Sequence, residues 1–500
     1  MPVLSDRAEY NAGVMMEKIH YTLDNLDELF HESGLNDEQT ARAKTHFLKR
    51  LSYDAHKFYN GKMQTVPKAA VFGFNWFNVW YTPGVSMVST TIRDNNLESY
   101  ALSNRGNLVA VVSDSTRVLG DGNCTPPGGL GVMEGKAFLM KYLGGVDANA
   151  LCIDSRNDKG MNDPDKIIDF VKMLQPGFGA VNLEDISQPN CYKVLDTLRE
   201  VCDIPVWHDD AQGTASVTLA GLFNALKLVN KPIGEVKIVL YGAGASNTTI
   251  ARIIHRAGGD PEKMIIFDST GSLNTDRDDI KADERYYRKW ELCIATNPKK
   301  IQTMDEAMKG VDVLIALSKS DPNTIRPRWI QSMADKPIVF ACANPVPEIY
   351  PYKAKEAGAY IVATGRGDFP NQVNNSLGFP GILKGALLVR SRKISDEMAI
   401  VAARSLADFA EKRGIHPDNI IPTMEEAGVF PCEAADVAMQ AVKEGLAREN
   451  LTWDEAYTLA EKGIRESRDL VHMMLKEDFI KTPPQKMLQS AFEWAVEQVK

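Results

Sequence analysis

The stretch VKIVLYGAGASNTTIARII, Val236 to Ile254, constrains this chain more than any other. An apolar, strand-like run enters Gly242-Ala243-Gly244 and leaves as a helical pattern. A strand that turns through glycines into a helix implies a parallel α/β sheet, with the turn at the carboxyl edge of the strands. Gly242 permits the tight turn, and Gly244 lets backbone approach an anion at the helix N-terminus, where the dipole favours negative charge. The pattern opens like the dinucleotide-binding G-x-G-x-x-G/A, with Gly242, Ala243 and Gly244 as the cofactor turn, but Asn247 takes the third small position. A branched amide there is expected to widen the helix–strand contact or to turn outwards to a pyrophosphate. Either would weaken cofactor affinity, so Asn247→Ala is expected to tighten it. Asp268 ends the next apolar run, 24 residues past Gly244, near the ~20 expected of an acid reaching a ribose hydroxyl.

The rest of the chain supplies the context that such a turn needs. Five hundred residues exceed one simple core. The expected organisation is a helical region 1–65, an α/β substrate and metal domain 66–231, a Rossmann-like doubly wound domain 232–390 and a helical region 391–500. In the first region Ile19, Leu23, Leu26 and Phe30 share one helical face. The runs NLVAVVSD, GAVNLEDI and DIPVWHDD read as strands, and so do KIVLYGAG, MIIFDS, DVLIAL and PIVFACANP. Between the two sets, the helical GTASVTLAGLFNALKLVN ends at a Lys231-Pro232-Ile233-Gly234 hinge, and Thr452-Trp-Asp-Glu455 reads as a capping box.

A net charge of −9 argues against nucleic acid as a partner, because phosphate binding relies on a basic face. The seven cysteines are scattered and never spaced C-x-x-C, which is neither a disulfide framework nor a zinc pattern. The first residues hold no apolar leader segment, and no run approaches the ~18 apolar residues of a membrane span. A cytoplasmic enzyme without a membrane partner is the expectation.

Two acidic pairs, Glu184-Asp185 and Asp209-Asp210, each follow a strand-like run, so both should lie at carboxyl ends where open α/β sheets bind ligands. Carboxylate oxygens converging there suit a hard divalent ion, Mg²⁺ or Mn²⁺. Taken alone, either pair reads rather as a solvated loop start, and only the two in matching context bring the readings level. His208 reads as a packing or hydrogen-bonding residue rather than a ligand. Arg117 could grip a carboxylate and Lys136 could act as a base, although each singly reads as a surface charge. Tyr81 precedes a Thr-Pro-Gly turn that could carry its hydroxyl to a cleft. Asn344, Asn374 and Asn375 offer uncharged amide donors and acceptors in Pro- and Asn-rich loops, where asparagine is also an ordinary turn former.

The ordered set YTPGV, VMEGKA, NLEDIS, HDDAQGTA, LAGLFNALKLV, GAGA, ANPVPEI and ATGRGDFPNQVNNSLGFPGILKGAL resembles malic enzymes from about Tyr81 to Leu387. These are metal-dependent oxidative decarboxylases of malate. The resemblance implies Glu184, Asp185 and Asp210 as metal ligands, Lys136 assisted by Asp209 as the proton acceptor, and Tyr81 as the acid that protonates the enol product. It further implies Arg117 and Asn375 as carboxylate-binding residues, Asn344 beside substrate or nicotinamide with Asn374 nearby, and an NAD or NADP site at Gly242, Gly244 and Asp268. A homodimer or homotetramer acting on a 2-hydroxy dicarboxylic acid would be the working unit.

Three stretches depart from that family's pattern. Asn247 replaces Gly or Ala. The arginine loop DSTRVLGDGNCTPP carries Ser115 and Asp121 where small or apolar residues are usual, and LIALSKSDPNTI replaces a Gly-rich loop. An acid at Asp121 that faced the pocket would disfavour a second substrate carboxylate. A different 2-hydroxy acid, or a malolactic reaction with no net reduced cofactor, is therefore the alternative. A cofactor-binding protein without turnover would not need the carboxylate, lysine and tyrosine set.

Overall fold

Two parallel sheets form the frame of the chain, which a computed structural model describes over residues 20–500. The first has the strand order β2-β1-β3-β4, from β1 (Leu108–Ser113), β2 (Asp147–Cys152), β3 (Ala180–Leu183) and β4 (Val206–His208). The second has the order β6-β5-β7-β8-β9, from β5 (Ile238–Tyr241), β6 (Met264–Phe267), β7 (Val313–Ala316), β8 (Ile338–Ala341) and β9 (Ile361–Thr364). In each, the chain reverses direction across the sheet between its first and third strands, and that switch point is where such sheets open a crevice.

The strands are apolar on both faces because helices cover both. Val109 and Val111 face one core with the helices Leu130–Gly144, Phe379–Leu388 and Val429–Lys443. Ala110 and Val112 face the opposite core with the helices Pro164–Leu174 and Asn190–Val201. β2 was not anticipated. As an edge strand it is only half-buried and reads DANALC, without the apolar run that marked its neighbours. β9 was also missed, a four-residue run inside the loop-like ATGRGDF context.

The helix Thr214–Val229 ends two residues before the Lys231-Pro232 hinge and is buried nearly all round, as its apolar composition requires. Its one amide side chain, Asn224, donates through Nδ2 to the carbonyls of Ala407 (2.8 Å) and Ile420 (2.9 Å), while its Oδ1 is buried without a partner. Beyond residue 390 the chain is helical, and the Thr452 capping box is formed, with the Thr452 N–H donating to Glu455 at 2.8 Å.

The chain divides into two compact units, Met63–Met473 and a smaller one of Met1–Lys62 with Met474–Lys500. In the smaller, Phe30 stacks on Phe492 with ring centres 4.6 Å apart. The expected four-residue helical face fails here. Ile19 lies outside the described residues, Leu23 is exposed, and the helix begins only at Leu26. No helix among the described residues is long and apolar enough to cross a membrane.

Candidate functional site

The acidic pairs converge because β3 and β4 are adjacent and parallel, with Leu183 beside His208 in register. One residue on, Glu184 and Asp185 leave β3, while Asp209 and Asp210 enter a π-helical turn over Asp209–Gly213. Glu184, Asp185 and Asp210 each present a carboxylate oxygen, and the three lie within 4.8 Å of one another. Asp185 takes a left-handed backbone (φ 53°), a conformation that Asp tolerates better than most residues. Its N–H donates to Asp210 Oδ2 at 2.8 Å, while its own Oδ2 is buried without a partner.

Lys136, on the helix Leu130–Gly144, reaches the same place. Its buried ammonium donates to Asp209, sits 3.2 Å from Glu184 and lies over the Phe379 ring at 4.7 Å. Trp207 donates to the other Asp209 oxygen at 3.2 Å, and Asn182 donates to Glu184 at 2.9 Å. Both supporting residues lie two positions before the acid they hold, so the strand period aims them at the same face. They were legible in principle and were missed. Gly213 has no room for a side chain, since a Cβ would strike the Asp209 carboxylate.

Burial, then the charge of Asp210, pushes the Glu184 carboxyl well above its usual range, and the same causes push Asp185 up to about 8. Burial by itself would lower Lys136, but Asp209, Glu184 and Asp210 outweigh it and hold the ammonium protonated. Burial lowers His208, which is fully buried with neither ring nitrogen hydrogen-bonded, although Nδ1 lies 3.9 Å from Asp210 Oδ2.

The glycine turn comes alongside through the helix Ala245–Arg256, whose Ser246 hydroxyl donates to the Asp210 carbonyl at 2.8 Å. Gly242 is left-handed (φ 101°), and a Cβ there would meet the Leu317 carbonyl. Nothing lies near the Cβ position of Gly244, so the turn is open on that side. Asn247 contradicts the expectation drawn from its size. It is fully buried and points inwards, donating to the carbonyls of Gly242 (2.8 Å) and Tyr241 (3.2 Å). The amide stitches the turn closed instead of prying it open.

Asp268 stands at the end of β6, but its carboxylate is already engaged. Oδ1 accepts the N–H groups of Thr270 and Gly271, and Arg277 bridges both oxygens at 3.0 and 2.9 Å. The ammonium of Lys289 lies 4.0 Å from Asp268; the residue is only 8% exposed, and its ammonium makes no hydrogen bond among the described residues.

The remaining expected residues divide. Asn375 abuts the Asp209–Gly213 turn, its Cβ 3.4 Å from the Cβ position of Gly213. Asn374 is half-buried and serves the backbone, accepting from Ser376 N–H (3.0 Å) and donating to the Gly365 carbonyl (3.3 Å). Asn344 is exposed, and its carbonyl touches Gly120 of the arginine loop. Arg117 is exposed, and its backbone N–H donates to the Asp185 carbonyl at 2.9 Å. Asp121 is exposed at the tip of that loop, with no ion pair among the described residues. Tyr81 is 72% exposed, and none of its hydrogen bonds joins it to the carboxylate cluster.

Two family descriptions match the chain, "Malic enzyme, N-terminal domain" over residues 61–199 and "Malic enzyme, NAD binding domain" over 211–444. The bifunctional malic/malolactic enzyme of Bacillus subtilis is 40% identical over 402 residues, 80% of this chain and 95% of that protein. The NADP-dependent malic enzyme of Halomonas elongata is 36% identical over 383 residues, 74% of this chain and 87% of that protein. The crystal structure of Entamoeba histolytica malic enzyme superposes with a TM-score of 0.93 at 63% identity, covering 96% of this chain and all of that one.

Proposed function

The chain belongs to the malic enzyme family, and from that premise we propose that it converts malate to pyruvate and CO₂, with a divalent metal and with reduction of NAD or NADP. The observation that carries this reading is the convergence of three carboxylates beside Lys136 and the helix of the glycine turn.

The residues fit a divalent ion. Glu184, Asp185 and Asp210 offer hard oxygens, the charge of Asp210 helps to raise the carboxyls of the other two, and Asp185 Oδ2 has no partner. When bound, such an ion supplies Lewis acidity to the hydroxyl and ketone oxygens, and a nicotinamide supplies the hydride acceptor. Neutralising Glu184 and Asp210 would remove two of the charges that hold Lys136 protonated and leave Asp209 against burial, which favours a free amine able to take the substrate hydroxyl proton. Asp209 keeps that amine in place. Arg117 and Asn375 hold the substrate carboxylates, and Tyr81 returns a proton to C3 of the enol.

Asp268 bears on cofactor choice. With its oxygens taken by Arg277 and two backbone N–H groups, it is poorly free to accept a ribose diol. Arg277 offsets its charge, and the unbonded Lys289 ammonium beside it suits a 2′-phosphate. This supports NADP over NAD.

We also infer that the working unit is a homo-oligomer. Phe72, Phe74, Trp80, Tyr81 and Met87 are exposed along one short segment, Phe74 at 90%, and the aromatics pack mainly on each other. A second copy covering that segment would bury it and would give Tyr81 a site to serve.

The purified chain, supplied with malate and Mn²⁺ or Mg²⁺, is expected to form reduced nicotinamide, pyruvate and CO₂ in equal amounts, and to stop on chelation. Lys136→Ala should lower kcat by about 10²–10⁴-fold. No malate-dependent reduction with either cofactor or either metal would overturn the reading. Lactate without net reduced cofactor would favour the malolactic alternative, which the double name of the Bacillus relative makes worth measuring.

A further inference from the structure

Asp114, at the carboxyl end of β1, is a buried carboxylate with no cationic partner among the described residues. Such a charge is costly to bury unless hydrogen bonds replace its water. Here they do, and they come from two loops at the mouth of the first sheet. The Thr116 hydroxyl (2.6 Å) and N–H (3.3 Å) donate to Oδ1 from the arginine loop. The Ser155 hydroxyl, in the loop after β2, donates to Oδ2 at 2.8 Å. The chain of bonds continues into the loop after β3, where Ser187 N–H donates to the Thr116 hydroxyl at 2.9 Å.

That network holds the two strands of backbone that wrap Asp185. Directly after Thr116, Arg117 N–H donates to the Asp185 carbonyl at 2.9 Å. Ser187 is two residues beyond Asp185 on the other side. Asp185 sits between these ties in its left-handed conformation, and Arg117 projects from the same short loop. Asp114 touches neither group, yet the position of both follows from what it bonds.

We propose that Asp114 is a positioning residue, which through Thr116 fixes the Asp185 oxygens for a divalent ion and the Arg117 loop for a substrate carboxylate. The proposal rests on the functional reading given above. Residues that orient a ligand from behind typically cost about 10–100-fold in metal affinity when lost. A residue that only stabilised the fold would lower the folded fraction and leave the affinity of what remained unchanged.

The test uses the full chain with Mn²⁺ alone, by titration calorimetry, and malate kinetics alongside. Asp114→Ala is expected to weaken Mn²⁺ binding by about tenfold or more and to raise the malate KM by a similar factor, with kcat changed by less than about threefold. Thr116→Val keeps the acid and the shape but breaks the bridge to Ser187, and should reproduce the effect in part, about three- to tenfold. Asp114→Asn retains an acceptor and should fall nearer wild type. If Asp114→Ala fails to fold, Thr116→Val decides. Mn²⁺ affinity and malate KM within twofold of wild type in the folded variants would overturn the proposal, as would a loss confined to kcat. A wild-type chain that binds no Mn²⁺ would overturn the metal reading itself, and this inference with it.

Discussion

At the residue scale, Asn247 is the most informative position. Size alone made it an obstacle to a cofactor turn, but its amide donates to the two carbonyls that the turn leaves pointing inwards. Removing it would strand the Gly242 carbonyl in the interior, at about 1–3 kcal/mol, while the Tyr241 carbonyl keeps the N–H of Leu317. Asn247→Ala should therefore weaken nucleotide binding, by about tenfold in a fluorescence or calorimetric titration. Unchanged or tighter binding would mean that water replaces the amide without loss. Lys289 gives a second prediction. The 2′-phosphorylated 2′,5′-ADP should bind the chain about tenfold more tightly than ADP, and Lys289→Met should erase most of that difference while leaving ADP unaffected. Equal affinities in the wild-type chain would remove the argument for NADP.

At the element scale, the helix Phe379–Leu388 joins the site to the rest of the fold. Phe379 lies under the Lys136 ammonium, and Gly381 and Gly385 admit the helix Val429–Lys443 so closely that a Cβ at either would clash. Lys384, on the same helix, is buried with one hydrogen bond to Asn107 at 3.3 Å, and burial pushes its ammonium down to about 8. An exposed lysine titrates near 10.4, so the folded state is penalised by about 3 kcal/mol wherever both forms are charged, below about pH 8. The penalty fades as pH rises from there towards 10.4. Lys384→Met, after losing about 1 kcal/mol with the Asn107 bond, should gain about 2 kcal/mol at pH 7 in a denaturant melt. The gain should shrink at pH 10, and a variant less stable than wild type at pH 7 would contradict this account. The sequence reading missed two elements, β2 and β9, because an edge strand with Asp and Asn and a four-residue run in a loop-like context lack the apolar signature of their neighbours.

At the scale of the whole molecule, the segment carrying Tyr81 stands apart from the rest of the candidate site. Its aromatic residues face outwards, on a scale that a lone protomer seldom tolerates. If a second copy covers them and takes Tyr81 into its site, sedimentation should give a dimer or tetramer. Phe74→Asp should then shift it towards monomer with loss of activity. Tyr81→Phe and Lys136→Ala, each inactive alone, should recover about a quarter of wild-type activity when mixed and exchanged, the statistical share of intact sites in a two-fold pair. Absence of recovery after proven exchange would mean that Tyr81 serves its own chain.

The sequence by itself determined the periodic features: seven of the nine strands, the buried helix before the hinge, the glycine turn, and the acids at strand ends. Those follow from local pattern, because a parallel strand covered on both faces must be apolar and its polar residues must begin where it stops. Ordered motifs also carried the family. Only the tertiary structure decided which polar groups already had partners. Asp268 is spent on Arg277, Asn374 on the Gly365 and Ser376 backbone, and Asn247 on the carbonyls of the turn it was expected to spoil. Trp207, Asn182 and Asp114 gained roles that their own surroundings in the chain did not announce. A hydrogen bond is fixed by ångström-scale position between residues far apart in the chain, and residue type alone records only the capacity to make one.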